Sequence, residues 1–253
     1  MIDIVIPLYN SVKYSQKCVA SIRKTLSGIP YQIHLLNNGS TDETAAWLET
    51  LEGADIQKLS VAKNLGAPAG RNYLLNSFTP TDFVLFVDSD IEFKSDWIGP
   101  FLDVFRHYPQ AGIVGPDAHN IYVYPDHRET KRVKGRSPKP CDILMGCLML
   151  ATGELVRKVG GYDAEICGLY WHEDDDYCVR AIGAGYQNYW VYSDRYIHHG
   201  NKSANTTYPP VRSRSRSEAV QRALAEKWYR MGLIGPEHQP IAVQPFFNTT
   251  FSP

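Results

Sequence analysis

The sequence predicts an α/β fold built on a mostly parallel central sheet flanked by helices, and three observations carry that expectation. Apolar runs rich in β-branched and aromatic residues recur at 2–8, 31–36, 56–61 and 83–87, each followed by a helical pattern or a turn. The run Phe83-Val84-Leu85-Phe86-Val87 is apolar throughout, as in a strand buried on both faces. The strands also end in polar turn sequences, above all Asn37-Asn38-Gly39-Ser40-Thr41-Asp42 and Asp88-Ser89-Asp90. In open α/β sheets the crevice at the carboxyl ends of the strands is where ligands bind, which gives the first half nucleotide-binding character.

The elements follow in order. The first strand ends at Pro7-Leu8-Tyr9-Asn10, and Val12, Ser15, Val19, Ile22 and Leu26 then fall at helical spacing, closed by Gly28. After the second strand, Ser40 or Thr41 is placed to cap a helix over 42–51. A third strand over 56–61 leads to a helix over 69–77 and then to the Phe83 strand. Beyond Asp90 a helix is expected over 96–108, with Trp97, Phe101, Val104 and Phe105 on one side, and a short strand over 111–115. The mixed aromatic and basic stretch 119–136 fits an excursion or ribbon over the site. The run 143–151, interrupted by Gly146, reads either as a buried strand or as one bent where a ligand approaches. Short helices over 154–159 and 173–184, a strand over 189–192 and an amphipathic helix from a Ser215–Glu218 capping box through Met231 complete the pattern. The tail from Gly232 has no periodicity. These elements divide into a domain over 1–205, with a first half over 1–92 and a second over 93–205, followed by a C-terminal helix and tail over 206–253.

Composition narrows the class. In 253 residues, an apolar content of 43% and a net charge of −1 describe an ordinary globular chain. The longest apolar run, 143–151, is too short to cross a bilayer. Met1-Ile2-Asp3 opens directly on a strand, leaving no room for a signal peptide. The five cysteines lack metal-type spacing and read as reduced thiols of a cytoplasmic protein. On that basis the Asn-x-Ser/Thr triplets at Asn38, Asn201, Asn205 and Asn248 read as coincidence. A basic run, Arg212-Ser213-Arg214-Ser215-Arg216, is too small to indicate nucleic acid; its default is a solvated helix entry, with contact to anionic lipid at the inner face of a membrane as the functional alternative. Self-association through the C-terminal region is compatible with the same stretch.

Two acidic constellations carry the chemistry. Asp88 and Asp90 are two positions apart on an extended chain, so their carboxylates share a side, and paired hard oxygens suit Mg²⁺ or Mn²⁺. A D-x-D triplet by itself is also a common strand-closing turn. The second constellation is Trp171-His172-Glu173-Asp174-Asp175-Asp176-Tyr177. Acids in a first helical turn are favoured by the helix dipole, but four together repel one another, which a cation or a catalytic demand can offset. Tyr170, Trp171 and Tyr177 frame them with ring surface for a sugar, and a carboxylate in such a place can act as a general base. Ile197-His198-His199-Gly200 can add an imidazole to the metal.

In this order the segments resemble the family 2 glycosyltransferases of GT-A fold, over most of the chain to about Ser203. Ile4-Val5-Ile6-Pro7-Leu8-Tyr9-Asn10 is similar to the family's opening strand and turn. Asn37 to Asp42 is similar to its second nucleotide-binding turn, and Asn64-Leu65-Gly66 with Ala69-Gly70-Arg71-Asn72 to the segment entering the base and diphosphate pocket. Asp88-Ser89-Asp90 falls at the metal-binding D-x-D, and Gly160-Gly161-Tyr162-Asp163 and Glu173 to Arg180 resemble the "GGFD" and "EDxDxxxR" segments. The resemblance implies an inverting, metal-dependent transfer of a sugar from a nucleotide-diphosphate donor, a UDP-sugar above all, to a hydroxyl of a glycan, glycolipid or protein. It implies that Pro7, Tyr9, Asn10, Asn37, Asn64, Gly66, Arg71, Asp88 and Ser89 meet the donor, and that Asp90, His198 and Asp88 hold the metal. It further implies that Asp174 is the base and that Gly146, Trp171, Glu173 and Asp176 surround the acceptor; Asp176 reads alternatively as a fixer of its own helix. Where the family often carries Asp to accept the imide N–H of uracil, this chain has Asn37, whose amide both accepts and donates, so the base preference is open.

Two other classes fit the sequence less well. A sugar-phosphate nucleotidyltransferase needs a Gly-rich phosphate loop after the first strand, and Leu8-Tyr9-Asn10-Ser11-Val12-Lys13 has no glycine. A non-catalytic sugar- or nucleotide-binding scaffold has no use for Asp88, Asp90, Asp174 and His198 together.

Overall fold

The structure is a computed structural model, and it describes residues 1–123, 128–200 and 214–234. The boundary expected at 205/206, Ser203, Arg212 and Ser213, the triplets at 201, 205 and 248, and the tail beyond 234 lie outside the described residues.

The first half alternates as its pattern requires. Strand β1 (Ile2–Leu8) is followed by α1 (Val12–Thr25), β2 (Tyr31–Asn38), α2 (Thr44–Thr50), β3 (Ile56–Val61), α3 (Ala67–Leu75) and β4 (Phe83–Val87). These four strands lie parallel in the order β3-β2-β1-β4, with Ile2 opposite Tyr31 on one side and Phe83 on the other. The second half adds β5 (Ile91–Phe93), α4 (Gly99–His107), β6 (Ala111–Gly115), β7 (Ala118–Val123), β8 (Arg128–Arg132), β9 (Lys139–Cys141), β10 (Ile143–Leu144) and β11 (Leu148–Thr152). It continues through α5 (Gly153–Val159), α6 (Ala164–Cys167), α7 (Glu173–Gly183), β12 (Gln187–Trp190), β13 (Tyr196–His198) and the C-terminal helix α8 (Arg214–Arg230). Strands β11, β6, β12 and β9 extend the first sheet to eight strands; β11 runs antiparallel to both β4 and β6, and β12 is parallel to β6.

Period-two side-chain alternation explains why helices cover both faces. Ile4, Ile6, Ile33, Leu35, Leu85 and Val87 point to the side of α1 and α4, with Ile22, Trp97 and Phe101. Val5, Leu36, Val84 and Phe86 point the other way, into a layer with Leu155, Tyr177, Leu224 and Trp228 from α5, α7 and α8. The six core residues expected in the central sheet, Ile4, Ile6, Ile33, Leu35, Val84 and Phe86, are all fully buried.

Several local expectations need correction. Helix α2 is shorter than 42–51, and neither Ser40 nor Thr41 caps it; Asp42 Oδ1 accepts the Thr44 N–H at 3.0 Å. The reason is competition: Ser40 Oγ receives the Asn10 N–H at 3.2 Å, and the Thr41 hydroxyl donates to Asn10 Oδ1 at 3.3 Å. The run 143–151 is two strands, β10 and β11, with the break at 145–147. Within 119–136, where an excursion or ribbon was expected, β7 and β8 do form an antiparallel ribbon, and β7 pairs also with β10. Ser215 lies inside α8 and so does not cap it.

Helix α8 is part of the core. Leu224 and Trp228 are buried, and its Lys227 Nζ and Trp228 Nε1 reach Asp176 Oδ1 at 2.7 and 2.9 Å. Arg180 Nε holds the other Asp176 oxygen at 2.7 Å, and Lys227 also meets Asp163 Oδ2 at 2.8 Å. No helix among the described residues is long and apolar enough to cross a membrane.

Two stability outcomes follow from this packing. Phe86 sits edge-on to Tyr162 and Tyr177, with centroids 5.3 and 5.6 Å away, so Phe86→Ala should cost about 3–5 kcal/mol in urea unfolding. A loss below about 1 kcal/mol would contradict the core placement. Asp176→Asn leaves Lys227 and Arg180 without their buried counter-charge, and should cost about 3–5 kcal/mol by the same measurement.

Candidate active site

The site lies where β4 ends. Asp88 and Asp90 follow Val87, and β13 pairs antiparallel with β5, bringing His198 opposite Ile91. One ligand atom from each of Asp88, Asp90 and His198 lies within 4.8 Å of the others. His198 Nε2 is 3.3 Å from Asp90 Oδ1, and that bond pushes the imidazole up to about 11, aided by the Cys147 thiol. Its neighbour His199 points elsewhere: Nε2 meets Glu92 at 2.8 Å and the ring packs on Tyr14. Two carboxylates with an imidazole form a donor set that suits Mn²⁺ better than Mg²⁺, which prefers oxygen alone. The residues present therefore fit a divalent cation.

Beneath Asp88 lies Arg71 of α3, 1% exposed. Its Nη2 donates to Asp88 Oδ1 at 2.8 Å and to the Gly146 carbonyl at 3.0 Å, and Nη1 donates to Glu173 Oε1 at 3.2 Å. Burial works against the charge on Arg71, but the surrounding groups, Asp88, Glu173 and Asp174 among them, more than offset it and raise its pKa. Burial raises Asp88 as well, opposed by Arg71. Arg71 was expected to touch the donor; with its guanidinium engaged below the surface, it supports Asp88 instead.

Gly146 links this cation to the second acidic cluster. Its carbonyl takes Arg71, and its N–H donates to Asp174 Oδ2 at 2.7 Å. A Cβ on Gly146 would stand 3.1 Å from the Asp174 Cβ, so a side chain there would press on the acid. Asp174 Oδ1 accepts the Asp175 N–H at 3.0 Å. Burial, then the charges of Asp175 and Glu173, lift the Asp174 carboxyl to about 7.

The four acids of α7 separate by partner. Glu173 pairs with Arg71, Asp175 with His172 at 2.8 Å, and Asp176 with Arg180 and Lys227. Asp174 alone is half-buried with no cation bonded to it among the described residues. Asp176, expected near the acceptor, is fully buried toward α8 and cannot meet one; the three-residue step from Glu173 places it on the inward side of the helix. Glu173 and the backbone of Gly146 are likewise engaged inside. Trp171 remains at the rim, half-exposed, its ring 5.9 Å from Tyr170.

The turns after β1, β2 and β3 interlock. Asn10, at φ 47°, and Asn37 shape the first two: Asn10 Oδ1 accepts from Thr41, and Asn37 Oδ1 accepts the Ser40 N–H at 3.0 Å. Asn64 Oδ1 accepts the Gly66 N–H at 2.8 Å and the Asn38 amide at 3.1 Å. Gly66 has φ 87°, and a Cβ there would meet the Leu169 backbone at 2.5 Å. Pro7 lies against Gly70, where a Cβ would come within 3.3 Å of its ring, and Ser89 Oγ is 3.0 Å from Ser11 Oγ. Tyr9 is half-buried beside them. Asn38, Ser11, Cys147 and His172 carry no role of their own in the sequence, Asn38 and His172 standing there only as members of the second turn and the acid segment. The first has a signal in the Asn37-Asn38 doublet; Ser11 and Cys147 have none without the fold.

A model of glycosyl transferase family 2 matches residues 3–167. The chain is 22% identical to an uncharacterised protein of Sinorhizobium fredii over 95% of its own length, and spans 29% of that relative. Among solved structures it is similar to GalNAc-T7 with UDP, GalNAc and Mn²⁺ (TM-score 0.68, 15% identity, 91% of this chain and 49% of that one). It is similar too to a mannosyltransferase of Pyrobaculum calidifontis with GDP-Man and Mn²⁺ (TM-score 0.65, 16% identity, 97% of this chain and 69% of that one). These likenesses, at low identity, establish the fold. The match across most of the sheet and both nucleotide-side turns establishes more: the chain belongs to glycosyl transferase family 2.

Proposed function

We propose that this protein transfers a sugar, with inversion, from a nucleoside-diphosphate donor to an acceptor hydroxyl, with Asp174 as general base and a divalent cation at Asp88, Asp90 and His198. One observation carries the reading: Arg71 and Gly146 bind a metal-type donor cluster and a cation-free carboxylate into a single rigid unit. The family match ends at Cys167, before α7, so the base assignment rests on this geometry and on the resemblance of the acid segment.

When bound, a cation at these residues supplies Lewis-acid neutralisation of the leaving diphosphate. The chain's own residues do the rest. Asn10, Asn37, Asn64 and Gly66 shape the turns that receive the nucleotide. The Asn37 oxygen keeps one lone pair after taking the Ser40 N–H, enough to accept the imide N–H of uracil, and a UDP-sugar is the donor we favour. Two similar structures carry UDP and GDP-Man, so base preference is for a donor panel to decide. Asp174 takes the acceptor proton. A retaining double displacement needs a second free carboxylate near the anomeric carbon, and Glu173 and Asp176 are both held by cations. Acceptor hydroxyls of a glycan, glycolipid or protein approach past Trp171. Five unpaired cysteines, four of them buried, fit a reducing compartment, the cytoplasm.

Loss of a metal ligand is the first test. Asp90→Ala should abolish Mn²⁺-dependent binding of UDP in calorimetry, and His198→Ala should weaken it more than His199→Ala. Unchanged Mn²⁺ dependence in folded Asp90→Ala would remove the metal assignment.

The base has its own signature. Asp174→Asn should leave Mn²⁺ and nucleotide binding near wild type while turnover falls on the order of 10²–10⁴-fold. Because the carboxylate must be ionised to accept a proton, wild-type turnover should fall as pH drops through about 7. Activity that is flat to pH 5, or an active Asp174→Asn with an inactive Glu173→Gln, would place the base elsewhere.

A further inference from the structure

His198 sits on a strand with little to hold it. Strand β13 has three residues and pairs with the three-residue β5 in a two-stranded sheet. Ile197 is 41% exposed and the His198 side chain 40%. A two-stranded ladder on its own is marginally stable in water. Side chains at its two ends therefore decide how firmly it is registered. At the far end the Lys94 N–H donates to the Arg195 carbonyl at 2.8 Å, and Arg195 pairs with Asp96 at 2.6 Å. At the end beside the metal-type cluster the His199 N–H donates to the Asp90 carbonyl at 3.0 Å, and His199 Nε2 lies 2.8 Å from Glu92 Oε2. A carboxylate accepts only, so Nε2 carries the proton of that bond.

We propose that Glu92, acting through His199, is a positioning residue for the metal ligand His198, which rests on reading Asp88, Asp90 and His198 as the cation site. Glu92 stands opposite Ile197 in the β5–β13 ladder, so His199 is its diagonal neighbour, within reach of a long side chain. Helix α1 supports the same pair. Lys17 Nζ lies 3.4 Å from Glu92 Oε2, and the His199 ring centroid is 5.2 Å from that of Tyr14. The helix is itself fixed to β5, where Ser21 Oγ accepts the Phe93 N–H at 2.9 Å. Together α1, Glu92 and His199 form a clasp over the backbone bond to Asp90. Glu92 is not itself in the metal-type cluster, which holds Asp88, Asp90 and His198.

A ligand on a loose strand has to be ordered when the ion arrives, and that entropy is subtracted from the affinity. The clasp orders residues 198 and 199 against Asp90 beforehand, with His198 Nε2 already 3.3 Å from Asp90 Oδ1. Removing Glu92 also removes a negative charge near the cation, and the two effects differ in kind. A charge acts through space whether or not His198 is present; positioning acts only through His198. Glutamine separates them, because its carbonyl accepts the same N–H without the charge.

The experiment measures Mn²⁺ affinity in the presence of UDP, from the electron paramagnetic resonance signal of the free ion, with no transfer step. Salt is kept at about 0.15 M to screen distant charges. Glu92→Ala should weaken Mn²⁺ binding about three- to tenfold, and Glu92→Gln by less than about twofold. His199→Phe, which keeps a ring for Tyr14 but has no donor for Glu92, should match Glu92→Ala. In a His198→Ala background, Glu92→Ala should cost nothing further, since the ligand it positions is gone. Three results would each overturn the proposal: equal losses in Glu92→Gln and Glu92→Ala, a Glu92→Ala loss undiminished in the His198→Ala background, or wild-type Mn²⁺ affinity in Glu92→Ala. His198→Ala alone separates the two readings. If it binds Mn²⁺ as wild type does, the metal assignment itself fails; if it binds more weakly while Glu92→Ala is unaffected, only the role of Glu92 fails.

Discussion

A guanidinium with almost no exposure has to be surrounded by its own counter-charges, and the site is arranged around that need. Arg71 sits at the junction of α3, the end of β4, the β10–β11 break and the start of α7. Removing a charge of this size from water costs several kcal/mol unless carboxylates and carbonyls close on it. Asp88, Glu173 and the Gly146 carbonyl do so, and none can move far without exposing the others to an unpaired cation. The planar fork of arginine matters here, because a lysine ammonium cannot present two edges to partners on separate elements. Its Nε finds no hydrogen-bond partner among the described residues, and the Tyr162 ring lies 5.3 Å from the guanidinium carbon. Aromatic packing stands there in place of a further bond.

The same junction explains the glycines that join the two halves of the chain. Gly66 passes so close to Leu169 that any side chain would strike its backbone, and the Ala67 N–H bonds the Leu169 carbonyl at 2.9 Å. Gly161 is pressed against Asn72, whose amide brackets Tyr162 through two hydrogen bonds, Nδ2 to its carbonyl and its N–H to Oδ1. Nucleotide-side turns and acid helix are thus held in one register by contacts that admit no Cβ. Loops that interlock in this way are positioned by backbone packing rather than by their own sequence preference.

That distinction separates what was legible in the sequence from what was not. Four strands, their order of appearance and the burial of Ile4, Ile6, Val84 and Phe86 in the central sheet follow from local pattern, which needs no tertiary information. The pairing of Asp88 with Asp90 and the selection of His198 were accessible from spacing and from resemblance to the family. The role of Arg71 was not, because it is covered only by the β10–β11 break and the start of α7; Asp176 was legible as a fixer of its own helix, through Arg180, but its bonds to α8 were not. The cap of α2 was misplaced for a related reason: Ser40 and Thr41 were already bound to Asn10, thirty residues away. His172 was visible as a member of the acid segment, but nothing local in a histidine before four acids calls for its left-handed backbone, φ 55°.

Four adjacent carboxylates at a helix start are a liability unless each charge has a destination, and the destinations here differ in kind. Three are paired with side-chain cations or an imidazole. Among the described residues the fourth, Asp174, is held by two peptide N–H groups, one from Gly146 and one from Asp175. Peptide dipoles orient a carboxylate without supplying a full positive charge, so burial and its like-charged neighbours keep its proton affinity near neutrality. A base with too low a pKa is ionised but reluctant to take a proton, and one with too high a pKa is blocked by its own. Giving cations to Glu173 and Asp176 and an imidazole to Asp175, while leaving Asp174 with peptide N–H groups, places a single carboxylate of this helix between those limits.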